Sequence, residues 1–358
     1  MKGTLGKNYL KSYLRASDPL FEKYLKIKES ESAKNDKLAG DIVKRFAEIA
    51  RRGKKIRGAL VTLGYQTGGG KYDKNIIDAS LFIELFHAGV LVQDDVQDRG
   101  DFRRGIPTLH KQFQKMSEKI GVKIDKYHYG EAIAIDAATS AYYYSWEKLL
   151  SSKFPSDLLI KSSLIYSKYI QRLSDGQSLD ITGASSRKTD ERFVLNMLKL
   201  KSAEYTGILP LLVGATLAGV VDKKRLSALE KYGLAFGWAF QIQDDILGLY
   251  GDEKEFGKPV GSDIIEGKNT LFMLYLAEHG TPDQVRFMKR VLGNSKAKLK
   301  DIKKLKAILV ESGAYDYVVA LGWKYVEQGK KQIPLITQDT KIKEILESLI
   351  YYMMERTL

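Results

Sequence analysis

Carboxylates at the end of an apolar stretch are the residues of this chain whose types and spacing most clearly suggest chemistry. The segment VLVQDDVQDRGDFRRG, residues 90–105, runs from apolar residues into Asp94, Asp95 and Asp98. A helix would place Asp94 and Asp98 on one face, with Asp95 about 100° round the axis. Three anions at the C-terminal end of a helix repel one another and the helix dipole. The pattern therefore favours a bound cation over a solvated surface tract.

A second apolar stretch ends in the same way. The segment FQIQDDILG, residues 240–248, carries the paired carboxylates Asp244 and Asp245. Two helices with this ending can face one another across a cavity and hold metal between them. Ligands that are all oxygen suit Mg²⁺, which keeps several waters and shares itself with substrate phosphates. Neither segment has the His-x-x-x-His spacing of a zinc site. Together the two clusters predict a magnesium–diphosphate site.

Basic side chains and one histidine accompany these carboxylates. Residues 49–58, IARRGKKIRG, contain five cations in ten positions, and further basic residues follow each acidic cluster. These further candidates for phosphate binding are Arg103, Arg104, Lys258 and Lys268. A planar guanidinium matches phosphate oxygens, and an ammonium acts as a point charge. A lone lysine on a basic chain usually faces solvent, so it is the neighbouring acidic endings that favour phosphate binding. His87 shares the helical face of Asp94, which favours a substrate role slightly over simple packing.

Helices must position all of these side chains. Apolar residues recur at steps of four, four, three and four in Ile77, Leu81, Leu85, Ala88 and Val92, which predicts one buried helix face. Similar patterns recur to the end of the chain, and no two-residue alternation indicates a sheet. We therefore predict an all-α fold: a single domain over residues 1–358. Gly68–Gly70 is interpreted as a turn between helices, and the polar segment Lys115–Tyr129 as an irregular surface insertion.

The composition limits the protein class. The chain has 358 residues, 44% of them hydrophobic, no cysteine and a formal net charge of +14. The charge favours anionic partners such as nucleic acid, acidic lipid or phosphorylated small molecules, although a lysine-rich solvated surface would also explain it. No signal-peptide pattern opens the chain, and the apolar run Ile208–Val221 contains Pro210 and is too short to span a bilayer. We expect a soluble cytoplasmic protein that is not an integral membrane protein.

The combined motifs resemble the trans-isoprenyl diphosphate synthase family, the head-to-tail prenyltransferases. Seven blocks carry the resemblance in the right order: GKKIR (53–57), ELFHAGVLVQDDVQD (84–98), RRGIPTLH (103–110), GQSLD (176–180), KSAEYT (201–206), FQIQDD (240–245) and GKPVGSDIIEGKNT (257–270). The phrase KSAEYTG and the glycine of DDILG look most like archaeal members that make geranylgeranyl diphosphate or longer chains. The resemblance implies a bundle of long, mostly antiparallel helices around a central cavity, usually as a homodimer.

The resemblance also assigns roles to residues. It implies that isopentenyl diphosphate is held by Lys54, Arg57, His87 and Arg104. It implies that Mg²⁺ ions bound to the allylic diphosphate are held by Asp94, Asp95, Asp98, Asp244 and Asp245. That allylic diphosphate itself would contact Arg103, Lys201, Lys258 and Lys268. Dipoles of Lys201, Ser202 and Gln241 would face the carbocation formed when the allylic carbon–oxygen bond breaks. Three departures from the family pattern are Gly58, which replaces a proline and should loosen that turn, Gly248, which replaces an aspartate, and the polar segment Lys115–Tyr129, which is longer than in most members.

Product length should depend on the space beneath the first acidic cluster. Gly89 lies five residues before Asp94, about 7 Å down the helix axis at 1.5 Å per residue. A glycine there should leave the pocket open, and Phe86, about one turn deeper, is the next candidate floor. The expected product is an all-trans chain of twenty carbons or somewhat more.

Three alternatives remain at this stage. A class I terpene cyclase also ionises prenyl diphosphates with magnesium, but Arg57 and the GKPVGSD block argue against it. A non-catalytic partner subunit should have lost aspartates of the first cluster, and all three are present. A basic helical protein that binds RNA or membranes would give no reason for the paired acidic endings, and its binding should depend steeply on salt. We therefore expect small diphosphate substrates and no nucleic acid.

Overall fold

The chain folds into helices, as its apolar periodicity predicts. The computed structural model describes residues 2–185, 190–251, 261–294 and 296–357. The helices are α1 (Thr4–Asn35), α2 (Lys37–Arg51), α3 (Ile56–Thr67), α4 (Lys74–Gln97), α5 (Leu109–Ile120), α6 (Lys126–Leu150), α7 (Ser156–Ser185), α8 (Glu191–Leu198), a π-helix (Lys199–Ile208), α9 (Leu209–Leu217), α10 (Lys223–Tyr250), α11 (Ser262–Ile265), α12 (Leu271–His279), α13 (Pro282–Val291), α14 (Leu299–Glu311), α15 (Ala314–Lys330), α16 (Ile333–Ile336) and α17 (Thr340–Glu355). Within those described ranges the strands are β1 (Phe102–Arg103) and β2 (Ile106–Pro107). The all-α prediction is confirmed.

Two compact units make up the chain. The α4 unit comprises residues 8–163 and 214–219, and the α10 unit comprises residues 1–7, 164–213 and 220–358. Each unit contains one of the two acidic clusters. The prediction of a single domain, with the two clusters facing one another across a cavity, stays a prediction.

Helix α4 is the centre of the α4 unit. Asp73 caps its N-terminus by accepting hydrogen bonds from the main-chain N–H groups of Asn75 and Ile76, and the preceding Gly69 turns the chain with a φ of 87°. The turn predicted at Gly68–Gly70 is thus confirmed. The helix is long and apolar enough to cross a membrane, but 72% of its apolar window is buried within the protein. Its apolar residues form a core together with α2, α5 and α6.

The prediction that Lys115–Tyr129 is irregular is wrong, although most of the segment is exposed at the surface as predicted. The segment contains the end of α5, a left-handed turn at Gly121 and the start of α6. Met116 and Val122 pack against the core, and Tyr129 is buried in it. The other apolar residues of this stretch are about half exposed, so the segment lies at the surface and is attached to the core by only a few side chains.

Helix α10 and the π-helix form the centre of the α10 unit. A side chain on Gly207 would collide with the carbonyl oxygen of Gly233, and one on Gly237 with that of Ala203. These glycines let the π-helix and α10 approach closely enough for main-chain contact. Helices α15, α16 and α17 pack against the same α10. Wide π-helical turns are frequent at functional sites.

Candidate active site

The first acidic cluster stands at the C-terminal end of α4. Asp94 and Asp95 lie in its last turn, and Asp98 caps it. Arg103 donates from Nε to Asp95 Oδ1 at 2.8 Å and from Nη2 to Asp94 Oδ2 at 3.2 Å. Burial alone would lower the pKa of Arg103, but Asp95 and Asp94 raise it above its ordinary value. The cluster therefore contains its own counter-ion.

A short hairpin aims Arg103 at these carboxylates. Strands β1 and β2 pair antiparallel, with Arg103 opposite Ile106. Between them Arg104 and Gly105 have φ values of 53° and 79°, as a two-residue hairpin turn with positive φ at both central positions requires. For Arg104 this backbone costs about 1 kcal/mol. The Arg104 side chain donates from Nη1 to the carbonyl oxygen of Ile49 at 3.2 Å. The two adjacent arginines therefore contact different helices, Arg103 the end of α4 and Arg104 the end of α2.

Cations gather beside this cluster. Repulsion from Arg103 and Arg57 adds to burial in lowering the pKa of Arg104 to about 10. The pKa of His87 is held well below its usual value by burial and by Arg57, Arg104 and Arg103, so its imidazole is neutral near pH 7. Positive groups that raise one another's energy are stabilised when an anion binds. The structure thus brings together four of the predicted phosphate-binding residues of the α4 unit.

A buried carboxylate lies beside these basic side chains. Glu84 is 5% exposed, and its Oε1 accepts a hydrogen bond from the main-chain N–H of Gly58 at 2.7 Å. Burial raises the pKa of Glu84 although Arg57 opposes the shift. The expectation that Gly58 loosens its turn is wrong. Its N–H, which a proline would lack, binds Glu84, and the hydroxyl of Tyr13 occupies the place of a Cβ.

The two lysines before α3 have different surroundings. Lys54 is exposed, which suits the predicted contact with a substrate phosphate. Lys55 is 4% exposed, pairs with Asp18 at 2.6 Å and lies 4.9 Å from the centre of the Phe21 ring. Its left-handed φ of 49° turns the chain into the helix. Lys55 therefore anchors the segment from which Lys54 and Arg57 extend.

The second acidic cluster stands near the C-terminal end of α10. Gln241 Nε2 donates to Asp245 Oδ1 at 2.8 Å. Burial, with added repulsion from Asp263 and Asp244, raises the pKa of Asp245 to about 8. Lys268 partly opposes this shift and forms an ion pair with Glu266 at 2.9 Å. Asp263, which sequence analysis did not single out, thus belongs to the cluster. Lys258 lies outside the described residues.

An arginine far along the chain also belongs to the second cluster. Arg356 Nη2 donates to Asp244 Oδ1 at 2.6 Å, and the arginine side chain is 2% exposed. No local sequence pattern links residues separated by 112 positions. The contribution of Arg356 to the cluster is therefore visible only in the folded structure.

The π-helix presents the KSAEYT segment. Lys201 Nζ donates to Asp180 Oδ2 of the GQSLD block at 2.5 Å. Glu204, 4% exposed, accepts two hydrogen bonds from Arg172. Ser202 lies between them on the same wide turn. The Lys201–Asp180 ion pair thus joins two separate sequence blocks inside the α10 unit.

The residues predicted to set product length lie against α6. A Cβ on Gly89 would meet the Tyr142 ring at 2.9 Å and the carbonyl oxygen of Ala138 at 3.1 Å. The space beside Gly89 is therefore filled, and the expectation of an open pocket there is wrong. Phe86 is 3% exposed, and its ring centre lies 5.2 Å from that of Tyr142. The Tyr142 hydroxyl in turn donates to Gln93 Oε1. Tyr142 is a lining candidate that sequence analysis missed.

Both clusters offer only oxygen ligands, as a magnesium site requires. Among the described residues no group of three histidine, aspartate or glutamate side chains forms a preformed metal cage. Mg²⁺ needs no such cage, because one or two carboxylates, waters and substrate phosphates complete its shell. The raised pKa of Asp245 is further evidence of fit, since a cation would relieve the repulsion that raises it. The donor set therefore fits Mg²⁺ shared with a diphosphate.

An all-α fold with two acidic helix endings and adjoining basic residues defines a class of diphosphate-handling proteins, and comparison with known proteins identifies it. Residues 41–309 match the polyprenyl synthetase family. The geranylgeranyl diphosphate synthase of Methanosarcina mazei is 30% identical over 85% of this chain and 86% of its own. The geranylfarnesyl diphosphate synthase of Aeropyrum pernix is 30% identical over 86% of this chain and 92% of its own. The chain belongs to the polyprenyl synthetase family.

Solved structures agree with this assignment. A geranylgeranyl pyrophosphate synthase from Corynebacterium glutamicum, solved with isoprenyl diphosphate and magnesium, has a TM-score of 0.91 at 25% identity. The match covers 97% of this chain and 99% of that one. The geranylgeranyl pyrophosphate synthetase of Geoglobus acetivorans matches with a TM-score of 0.78, also at 25% identity. The all-α fold class predicted from the sequence is confirmed.

Proposed function

We propose that the protein catalyses the Mg²⁺-dependent head-to-tail condensation of isopentenyl diphosphate with an allylic diphosphate. The product is an all-trans polyprenyl diphosphate, geranylgeranyl diphosphate or a somewhat longer chain. The observation that carries the proposal is the pair of acidic clusters, each ending a buried helix, with cations beside the first that repel one another. Membership of the polyprenyl synthetase family and synthase relatives that make products of this class support it.

The proposed allylic site uses the two acidic clusters. Asp94, Asp95, Asp98, Asp244 and Asp245 would hold Mg²⁺, and Arg103, Lys201, Lys258 and Lys268 would contact the diphosphate. When bound, the metal supplies positive charge that stabilises the departing diphosphate. Arg103 would exchange its bonds to Asp94 and Asp95 for bonds to phosphate oxygens as the metal takes over the carboxylates. Groups that bind the leaving diphosphate more strongly as it gains charge accelerate the step.

The proposed isopentenyl diphosphate site is the basic group of the α4 unit. Arg57, Arg104 and Lys54 would bind the diphosphate, and His87 would donate a hydrogen bond to it. Because Arg57 and Arg104 repel one another before binding, the diphosphate anion relieves this repulsion as well as forming ion pairs. The lowered pKa of His87 should rise when the anion arrives, so binding should take up a proton below neutral pH.

The carbocation left on the allylic substrate needs dipoles and protection from water. Lys201 and Ser202 on the π-helix and Gln241 on α10 are proposed to face it. The close contact of Gly207 with Gly233 keeps these elements together in a fixed orientation. The double bond of isopentenyl diphosphate attacks, and a proton is then lost. None of the proposed site residues is an obvious general base, so the departing diphosphate is proposed to accept this proton.

We also propose that the protein is a soluble cytoplasmic homodimer. Helix α6 exposes Ile135, Tyr143 and Leu150, with Tyr143 70% exposed. Their spacing of eight and seven residues places these side chains on one side of α6, and a contiguous apolar surface on that side would favour a protein interface. Light scattering of the wild type should give the mass of a dimer, and Tyr143→Glu should shift it towards the monomer. A monomeric wild type would contradict this part of the proposal.

Incubation with Mg²⁺, isopentenyl diphosphate and each allylic primer tests the main activity. Radiolabelled products, dephosphorylated and separated by chain length, should contain twenty carbons or somewhat more. EDTA should abolish their formation. The absence of any condensation product with all three primers of five, ten and fifteen carbons would contradict the proposal.

A further inference from the structure

Arg356, the residue that follows α17, is a buried cation held by α10. Its Nη2 donates both to Asp244 Oδ1 at 2.6 Å and to the Phe240 carbonyl oxygen at 2.7 Å. The guanidinium carbon lies 4.4 Å from the centre of the Phe240 ring. Nε donates to the carbonyl oxygen of Met353 at 3.2 Å. The direction of the guanidinium is thus fixed from both helices.

The main chain of Arg356 is tied to the same segment. Gln243, 8% exposed, donates from Nε2 to the Arg356 carbonyl oxygen at 2.8 Å. The Arg356 N–H donates to the carbonyl oxygen of Tyr352, which closes the last turn of α17. Arg356 therefore contacts three residues of the FQIQDD block: Phe240, Gln243 and Asp244. A lysine could not reproduce this arrangement, because it lacks the planar fork of donors.

We propose that Arg356 is a positioning residue for the second acidic cluster. It holds the Asp244 carboxylate in one orientation through Oδ1, and its charge offsets the repulsion among Asp244, Asp245 and Asp263 before the metal binds. The Asp244 side chain keeps 32% of its surface exposed, so it is accessible to a metal ion while Arg356 holds it. The inference rests on the proposed function, since it assigns Arg356 to the same metal–diphosphate site.

Variants that remove the Arg356 guanidinium test whether this residue positions Asp244 or only stabilises the fold. Arg356→Gln and Arg356→Lys are compared with Arg286→Gln, which changes an arginine of the same unit that is 75% exposed and paired with an exposed aspartate. Calorimetry with the full-length protein measures the affinity for Mg²⁺ with inorganic pyrophosphate. Unfolding temperature is measured in parallel. Loss of a group that orients a metal ligand typically costs 10- to 100-fold in metal affinity.

The expected result is about a tenfold weaker Mg²⁺–pyrophosphate affinity for Arg356→Gln, a smaller loss for Arg356→Lys and no loss for Arg286→Gln. The effect should also depend on Asp244. In an Asp244→Asn background, Arg356→Gln should cost little further affinity, because Arg356 acts through that carboxylate. A merely structural role would lower the unfolding temperature without this dependence on Asp244.

Two outcomes would overturn the inference alone: a folded Arg356→Gln protein with wild-type affinity, or an affinity loss of equal size with and without Asp244. If Arg356→Gln does not fold, Arg356→Lys decides, and wild-type affinity in that variant would overturn the inference. A wild-type protein that fails to bind Mg²⁺–pyrophosphate would instead overturn the proposed function, and this inference with it.

Discussion

The two acidic clusters share a sequence pattern but carry their charge differently. In the first, Arg103 binds both Asp94 and Asp95 from only eight or nine residues away. In the second, Arg356 binds Asp244, while burial and the neighbouring Asp263 raise the pKa of Asp245 to about 8. The same pair of aspartates is thus balanced by an arginine at one helix end and partly by protonation at the other.

Burial alone does not produce this difference. Asp95 is 2% exposed and Asp245 is 8% exposed, so both lose most of their hydration. The hydrogen-bond donors differ, being a guanidinium for Asp95 and the neutral amide of Gln241 for Asp245, and repulsion from Asp263 and Asp244 adds to the shift at Asp245. A charged donor stabilises a carboxylate more strongly than a neutral one. A shared motif therefore does not fix the charge state of its residues.

The largest expected effect comes from removing one carboxylate from each cluster. Asp94→Asn and Asp244→Asn should each lower kcat about 10²- to 10³-fold, as losses of transition-state electrostatic stabilisation typically do. Their stabilities should differ, because Arg103 keeps Asp95 whereas the buried Arg356 loses its carboxylate partner. We expect Asp244→Asn to lose about 1–3 kcal/mol more free energy of unfolding in urea titrations. Equal losses would break the comparison.

Replacing the second aspartate of each cluster, Asp95 or Asp245, should change the stability of the metal-free protein differently. Asp95→Asn should cost about 1–3 kcal/mol at pH 8, since Arg103 loses a charged hydrogen bond. Asp245→Asn should leave stability unchanged or raise it. The raised pKa of Asp245 means that the folded state holds a proton that the unfolded state releases near pH 4, so stability falls as pH rises from about 4 to 8. Urea titrations in EDTA at pH 5 and pH 8 measure both effects.

One result of these urea titrations would contradict the prediction. Destabilisation of equal size by Asp95→Asn and Asp245→Asn at pH 5 would show that Asp245 is ionised in the metal-free fold well below pH 8. The contrast between the clusters would then disappear.

The number of protons released when Mg²⁺ and pyrophosphate bind should also distinguish Asp245 from Asp95. Below about pH 8 Mg²⁺ and pyrophosphate should bind with release of a proton from Asp245, so that affinity rises with pH up to that value and levels off above it. Calorimetry at pH 6.5 in buffers with different ionisation enthalpies counts this proton. Asp245→Asn should release less than wild type, and Asp95→Asn should release the same amount. Equal release from wild type and Asp245→Asn would exclude Asp245 as the source.

The smallest effect is expected beneath the first cluster, where α4 meets α6. Tyr142→Ala removes the ring that fills the space beside Gly89 and Phe86, and should shift the products towards longer chains with little change in rate. Gly89→Phe should shorten the products only if α6 moves away from α4, because a Cβ at this position already meets Ala138 and Tyr142. Tyr144→Ala, which alters a ring packed on Tyr24, is the control. An unchanged product distribution in Tyr142→Ala would exclude Tyr142 from the pocket.

What the sequence could predict depended on distance along the chain. The helices follow from apolar periodicity, and the ion pairs of Arg103 connect residues within one motif. Lys54 and Lys55 show the limit of local patterns. They are adjacent basic residues, and only the packing of Lys55 on Asp18 and Phe21 distinguishes the anchor from the exposed cation.

Long-range contacts account for what was missed. Arg356 meets Asp244 only after α17 has packed on α10, and Tyr142 reaches Gly89 only because α6 crosses α4. The role of Gly58 was misjudged for the same reason, since its partners Glu84 and Tyr13 come from other helices. Residue spacing describes neighbours on one element and contains no information about which elements will touch.

Anomalous diffraction from crystals soaked with Mn²⁺ and an unreactive allylic diphosphate analogue tests the central claim most directly. We expect metal peaks within bonding distance of Asp94 and of Asp244, with Arg103 turned from the carboxylates to phosphate oxygens. Bound analogue with no metal peak at either aspartate, and Arg103 still on Asp94 and Asp95, would contradict the account.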